Sequence, residues 1–221
     1  TRCFIRLSGF FVIVYISAVF NEIILMKIVL ATHNHDKEIE LRNSLRDLGI
    51  EICSLSDYPD IGEIEETGTT LLENSLLKAR TVSAKTGHSA IADDTGLEVD
   101  ALDGAPGIYS ARFAGLNATY EDNLNKLLSS MEEVPEGKRS ARFRTVISFI
   151  DGNQELWTEG HIDGKITDFP RGNAGFGYDP VFYVPQLKKT FAELSTDEKN
   201  KISHRGIALQ KLRKILVNVL N

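Results

Sequence analysis

The apolar positions of the chain change period repeatedly, and each change marks an element. KIVLAT (27–32) is a run of β-formers closed by turn formers and predicts a buried strand. Leu41, Leu45 and Leu48 then recur at helical spacing up to Gly49, a C-cap signal. IEICSLSDY (50–58) predicts a second strand and its exit, followed by an acidic loop from Pro59 to Gly68. Thr70 and Glu73 have capping-box spacing and open a helix with Leu72, Leu76, Ala79 and Val82 on one face, closed by Gly87. SAIAD (89–93) predicts a strand that ends at the pair Asp93-Asp94 and a Thr-Gly turn.

Residues 118–131 read as a further helix. ARFRTVISFI (141–150) alternates with period two, Asp151-Gly152 signals a hairpin, and QELWTEGHI returns as the partner strand. A Gly-rich loop, 171–177, leads to a strand at VFYVP. Ser195 and Glu198 repeat the capping-box spacing before a last helix carrying Ile202, Leu209, Leu212, Leu216 and Val219. Strands alternate with helices early and form a hairpin later, which predicts an α/β fold with a mixed sheet and a cleft beside the hairpin lobe.

Composition narrows the function. The 221 residues carry a net charge of -6, which disfavours binding to nucleic acid. Cys3 and Cys53 form no CxxC pair, and HExxH is absent, so any metal would have oxygen ligands, as magnesium or manganese does. Residues 1–25 differ from the rest: Arg2 and Arg6 precede the apolar run 10–20, short for a membrane span and the length of a signal-peptide core. They are expected to be an extension outside a functional domain at 26–221, with an export signal as the other reading.

Five constellations could carry chemistry. ATHNHDK places Thr32–Lys37 between a strand and a helix N-terminus, where α/β sheets bind anions, although on this stretch alone a capped helix with a solvated lysine is the better reading. Glu65-Glu66 precede a helix with Asn74 and Lys78 on one face. Asp93 and Asp94 must point to opposite faces of a strand, so one is expected to face a cleft and the other to be held elsewhere, by backbone amides. In GNAGFGYDPVF, Phe176 and Tyr178 could stack on a base, and Asp179 could bind a metal, cap the loop or hold a lysine. In the last, Ser203 can cap a new turn, which leaves His204 and Arg205 as cations at a helix N-terminus, out of place unless an anion is near.

In order, ATHNHDK, EETGTTLLENSLLKA, ADDTGLEVDALDGAPGIYSARFAG, GFGYDPVF and FAELSTDEKNKISHRGIAL resemble the non-canonical purine nucleoside triphosphate pyrophosphatases, the inosine triphosphatase family. The resemblance implies cleavage of ITP, dITP and XTP between the α and β phosphates, giving the monophosphate and pyrophosphate. It also implies an elongated mixed sheet with flanking helices and two lobes around a central cleft, a homodimer, a requirement for Mg2+ and a cytoplasmic nucleotide pool, with neither nucleic acid nor membrane as partner. By position, Thr32, His33, Asn34, His35, Asp36, Lys37 and Lys78 would grip the phosphates. Asp94 would bind the metal and accept a proton, Glu66 would be a second metal carboxylate, and Thr95 would touch substrate. Phe176, Gly177, Tyr178, Asp179, Lys199, His204 and Arg205 would bind the nucleotide, so the cations of the last helix would meet a base or phosphate. Asp36, Asn173 and the extension depart from the pattern. A septum-inhibitor-type nucleotide pyrophosphatase and a nucleotide sensor without turnover are the alternatives.

Overall fold

Two hydrophobic surfaces on one short strand set the architecture. In β3 (Lys27–Leu30), Ile28 and Leu30 point to one side and Val29 to the other, and all three are fully buried. A strand buried on both faces belongs inside a sheet covered by helices. The computed structural model describes residues 26–220, together with the backbone of 2–7 and 10–15. Its main sheet contains β3, β4 (Glu51–Ser54), β5 (Ser89–Val99), β6 (Pro106–Gly107), β7 (Ser140–Asp151), β8 (Gln154–Ile166), β9 (Phe182–Val184) and β10 (Lys189–Thr190). The strand order is β10-β9-β8-β7-β5-β3-β4, with β6 beside β5. β3 is parallel to β4 and β5, and the other pairings are antiparallel, as a mixed sheet requires.

Helices α1 (His35–Leu45) and α5 (His204–Leu220) cover one face, where Leu41, Leu45, Leu209, Leu212 and Leu216 pack on Ile28, Leu30, Ile91, Ile147 and Phe149. Helix α2 (Leu71–Thr86) covers the other with Ala79 and Val82 on Val29, Ala90, Ala92 and Ile150. A second core surrounds the far ends of β5, β7 and β8, where α3 (Tyr120–Ser130) sends Leu124 and Leu127 against Leu97, Val99, Phe143 and Phe182. These cores are the two lobes. At Gly160 a Cβ would stand 2.0 Å from the His204 carbonyl oxygen, so glycine is what lets β8 pass under the start of α5.

Both capping boxes form: Thr70 Oγ1 accepts from Glu73 N, and Ser195 Oγ accepts from Glu198 N. The buried face of α2 differs from the expected one. Leu72 and Leu76 are only partly buried, whereas Asn74, Ser75 and Lys78 turn inward toward polar partners on β5 and β7. The last helix is two: α4 (Thr196–Ile202) stops at Ser203, whose hydroxyl accepts from Gly206 N at the head of α5. In the hairpin, Asp151 pairs with Gln154, which moves the turn to Gly152-Asn153. At the N-terminus, β1 (Arg2–Leu7) and β2 (Phe10–Tyr15) pair with each other and form a sheet of their own. The second half of the apolar run lies outside the described residues. Among the described residues no helix is long and apolar enough to cross a membrane.

Candidate functional site

The site grows from a mismatch in strand length. The parallel pairing of β3 with β5 stops at Leu30–Ile91, whereas β5 runs on to Val99 against β7. The expected Thr-Gly turn is therefore strand, continuous with Asp93 and Asp94: residues 93, 94 and 95 pair with Ile147, Val146 and Thr145 in mid-sheet. Their non-local partner, β7, overrides the local turn preference. Alternation sends Asp93 toward α1 and α5, and Asp94 toward α2.

Asp94 is buried and faces the cleft between the lobes. Asn74 Nδ2 donates to its Oδ2 at 3.2 Å, Lys78 Nζ stands 3.5 Å from Oδ1, and Thr95 N donates to Oδ1 at 3.1 Å. Burial pushes its carboxyl above the usual range even with Lys78 and Lys37 close by. Lys78 Nζ also reaches Glu66 Oε1 at 2.7 Å, and Arg112 Nη1 reaches Glu66 Oε2 at 3.0 Å. Burial works upward on Glu66, but those two cations hold its carboxyl below its ordinary value. One lysine thus spans the two carboxylates.

Asp93 is held by side chains, not by the backbone amides expected. Its Oδ2 meets Lys37 Nζ, Arg205 Nε and Thr95 Oγ1, each at 3.2 Å, while its buried Oδ1 has no hydrogen-bond partner. Burial opposes the charge, yet Lys37 and Arg205 keep the carboxyl far below its usual value. The anions beside the α5 N-terminus are thus the protein's own: Arg205 also donates to Glu40 at 2.5 Å and to Thr95 Oγ1 at 3.1 Å. His204 is buried, stacks on Phe143 at 4.5 Å and 13°, and leaves Nδ1 without a partner. Burial lowers its pKa well below the imidazole norm, so the ring is neutral.

The loop after β8 completes the cleft. Asp179 Oδ2 takes hydrogen bonds from Lys199 Nζ at 2.6 Å and Phe176 N at 2.9 Å, which caps the loop and holds a lysine at once. Gly175 has φ +74, and a Cβ there would lie 2.0 Å from that same oxygen. Phe176 faces the cleft with Lys199 Nζ 4.9 Å and Arg205 Cζ 5.7 Å from its ring centre. Tyr178 does not offer a free face: it is buried in the second core and donates its hydroxyl to the Ser110 carbonyl at 2.9 Å.

Of the residues singled out in the sequence, Asn34, Lys37, Glu66, Asp94, Thr95, Phe176, Gly177, Tyr178, Asp179, Lys199, His204 and Arg205 line one cleft. Lys78 stands just behind it. His33 and His35 are exposed and off the lining, with His33 Nε2 at 2.8 Å from the Gly62 carbonyl oxygen. Thr32 accepts from Asn34 N and shapes the turn, and Asp36 sits at the mouth against Tyr120. Sequence reasoning missed Glu40, Arg112 and Tyr120. Glu40 looks like an ordinary helix-surface carboxylate, and Arg112 lies in a loop without periodicity. Tyr120 carried no signal beyond its place next to the Thr119 cap.

Five carboxylates (Glu40, Glu66, Asp93, Asp94, Asp179) here face five cations (Lys37, Lys78, Arg112, Lys199, Arg205). The set is balanced by itself, so a polyphosphate entering it needs further positive charge. Glu66 and Asp94 supply the hard oxygen donors that magnesium prefers. Among the described residues no group of three or more His, Cys, Asp or Glu is placed to hold a metal ion.

A family model described as the Ham1 family matches residues 28–215. A dITP/XTP pyrophosphatase of Thermoanaerobacter pseudethanolicus is 53% identical over 195 residues, 88% of this chain and 98% of the relative. One of Yersinia pseudotuberculosis is 50% identical over 189 residues, 84% and 95% of the two chains. The structure of a HAM1 protein from Coxiella burnetii superposes with a TM-score of 0.81 at 43% identity, covering 88% of this chain and all of its own. The Staphylococcus aureus Ham1 protein gives 0.78 at 40%, covering 86% and 97%. Matched from its first buried strand to its last helix, in sequence and in fold, the chain belongs to the Ham1 family.

Proposed function

We propose that the protein hydrolyses non-canonical purine nucleoside triphosphates, ITP, dITP and XTP, to the monophosphate and pyrophosphate. The observation that carries this is the charge-balanced cleft that Asp94, Phe176, His204 and Arg205 line together. Relatives named dITP/XTP pyrophosphatase at about half identity support dITP and XTP among these substrates.

The N-terminus of α1 and Lys37 would bind the phosphate tail, with free backbone N–H groups and a lysine directed at it. Glu66 and Asp94 are the residues that would hold Mg2+, which when bound offsets phosphate charge and polarises the α-phosphoryl group. Asn74 and Lys78 fix the Asp94 carboxylate, which takes the proton of the attacking water at an oxygen facing the cleft. Arg205 carries donors only, so it favours a purine with a 6-oxo acceptor over adenine, whose amino group donates there. Residues 1–25 lie outside the catalytic unit, and the working form is a cytoplasmic homodimer, checked by sedimentation at twice the chain mass.

The test is pyrophosphate release from ITP, dITP and XTP against ATP and dTTP, with Mg2+ and with a chelator. Strong preference for the 6-oxo purines, abolished by the chelator, is expected. Equal turnover of ATP, or turnover without a divalent ion, would overturn the reading.

A further inference from the structure

Tyr120 opens α3 on the second lobe, and its side chain crosses the mouth of the cleft. The hydroxyl accepts a hydrogen bond from Asn34 Nδ2 at 2.9 Å and donates one to Asp36 Oδ2 at 3.2 Å. The ring lies 5.8 Å from that of Phe176, tilted by 34°. One side chain therefore ties the loop before α1, the first turn of α1 and the aromatic wall together. Asn34 is engaged at its other end too, since its Oδ1 caps α1 by accepting from Lys37 N at 3.0 Å.

Rings at this separation touch each other, and a flat base between them would need about 7 Å, twice an aromatic contact distance of about 3.5 Å. From this contact and the two hydrogen bonds we infer that Tyr120 is a clasp, shut across the cleft in the free protein and released by an arriving triphosphate. The inference rests on the nucleotide reading above. The phosphate tail and the Tyr120 hydroxyl compete for that one of the two Asn34 Nδ2 N–H groups which now donates to Tyr120. Asp36 adds to the release: phosphate charge repels its carboxylate and draws the hydroxyl's acceptor away. Freed, the Tyr120 ring swings aside and uncovers the face of Phe176.

A molecule that must open before binding shows an affinity reduced by its open fraction. Hydrogen bonds of this exposed kind shift an equilibrium by about two- to tenfold. Tyr120→Phe keeps the ring and removes both bonds. Its KM for ITP should fall about three- to tenfold, with kcat moving less than KM. The Kd of α,β-methylene ITP with Mg2+, measured by calorimetry on the full chain, should fall by the same factor. A KM and Kd that stay level or rise, with the melting temperature held, would overturn the clasp. If the phenylalanine variant does not fold, Tyr120→Ala, which also cuts both bonds, serves for the Kd comparison. A wild-type protein that binds the analogue but does not cleave ITP would defeat the catalytic reading alone, and the Kd comparison would still decide the clasp. Failure of the wild type to bind the analogue would overturn both.

Discussion

Replacing Gly175 by alanine should disrupt the loop that Asp179 caps, because the glycine packs directly on that carboxylate. The new Cβ would lie 2.0 Å from Asp179 Oδ2 and 2.9 Å from its Cγ, so the carboxylate must move by more than 1 Å, by the ~3.3 Å a carbon–oxygen contact needs. That motion breaks the 2.6 Å bond to Lys199 and the 2.9 Å bond to Phe176 N. Both partners of the ion pair are buried, Asp179 at 3% and Lys199 at 6% exposure, so solvent does not replace what is lost. Hydrogen bonds to charged groups contribute about 1.5–3 kcal/mol each, and alanine at φ +74 costs a further ~1–2 kcal/mol. The sum is about 4–8 kcal/mol, a drop in melting temperature of roughly 10–30 °C for a chain of this size. A double-mutant cycle in urea separates the terms. In an Asp179→Ala background the clash is gone, and Gly175→Ala should cost only the backbone part, about 1–2 kcal/mol. The coupling energy should then be about 3–6 kcal/mol. Additivity within ~0.5 kcal/mol would refute the claim that glycine is there to admit the carboxylate.

Asp94→Asn should lower kcat at least ~10³-fold, within the range of lost acid–base catalysis, while the Kd of α,β-methylene ITP changes only a few-fold; near-normal turnover would reject Asp94 as the proton acceptor. Asp47 has its carboxyl held at about 2 by hydrogen bonds from Arg213, so this pair adds stability above the unfolded value near 3.8 and loses it as pH falls toward 2. The gap in stability between wild type and Asp47→Asn, followed by denaturant titration, should therefore be present at neutral pH and close between about pH 4 and pH 2; a gap constant through that window contradicts the assignment. A chain that starts at Met26 should keep the kcat and KM of the full chain in the pyrophosphate assay, and a large loss of activity would place residues 1–25 inside the working unit.

Local rules were readable where local forces decide. The boxes at Thr70/Glu73 and Ser195/Glu198 and the cap at Ser203 each close within three residues, and all of them form. Asn74 and Lys78, four apart, do share a helix face, and both meet Asp94. The length of β5 was not readable, because Asp-Asp-Thr-Gly is extended only through its pairing with β7, about fifty residues later in the chain. For the same reason the partners of Arg205 were missed: Asp93 and Glu40 come from other elements, and a carboxylate in α1 has no mark in the sequence that distinguishes a buried ion-pair role from a solvated one. The anchoring of Tyr178 was not readable either, because nothing in GFGYDP marks that its hydroxyl reaches the Ser110 carbonyl.

The long strands set how the mouth can work. β5, β7 and β8 continue without a break beneath both hydrophobic clusters, so the lobes share a floor where a hinge loop would otherwise be. Swinging one lobe away from the other would mean twisting that hydrogen-bonded ribbon along its length, a stiff coordinate compared with the rotation of one tyrosine. If Tyr120 is the clasp, admission to the groove is a matter of side-chain torsions above a fixed base plate.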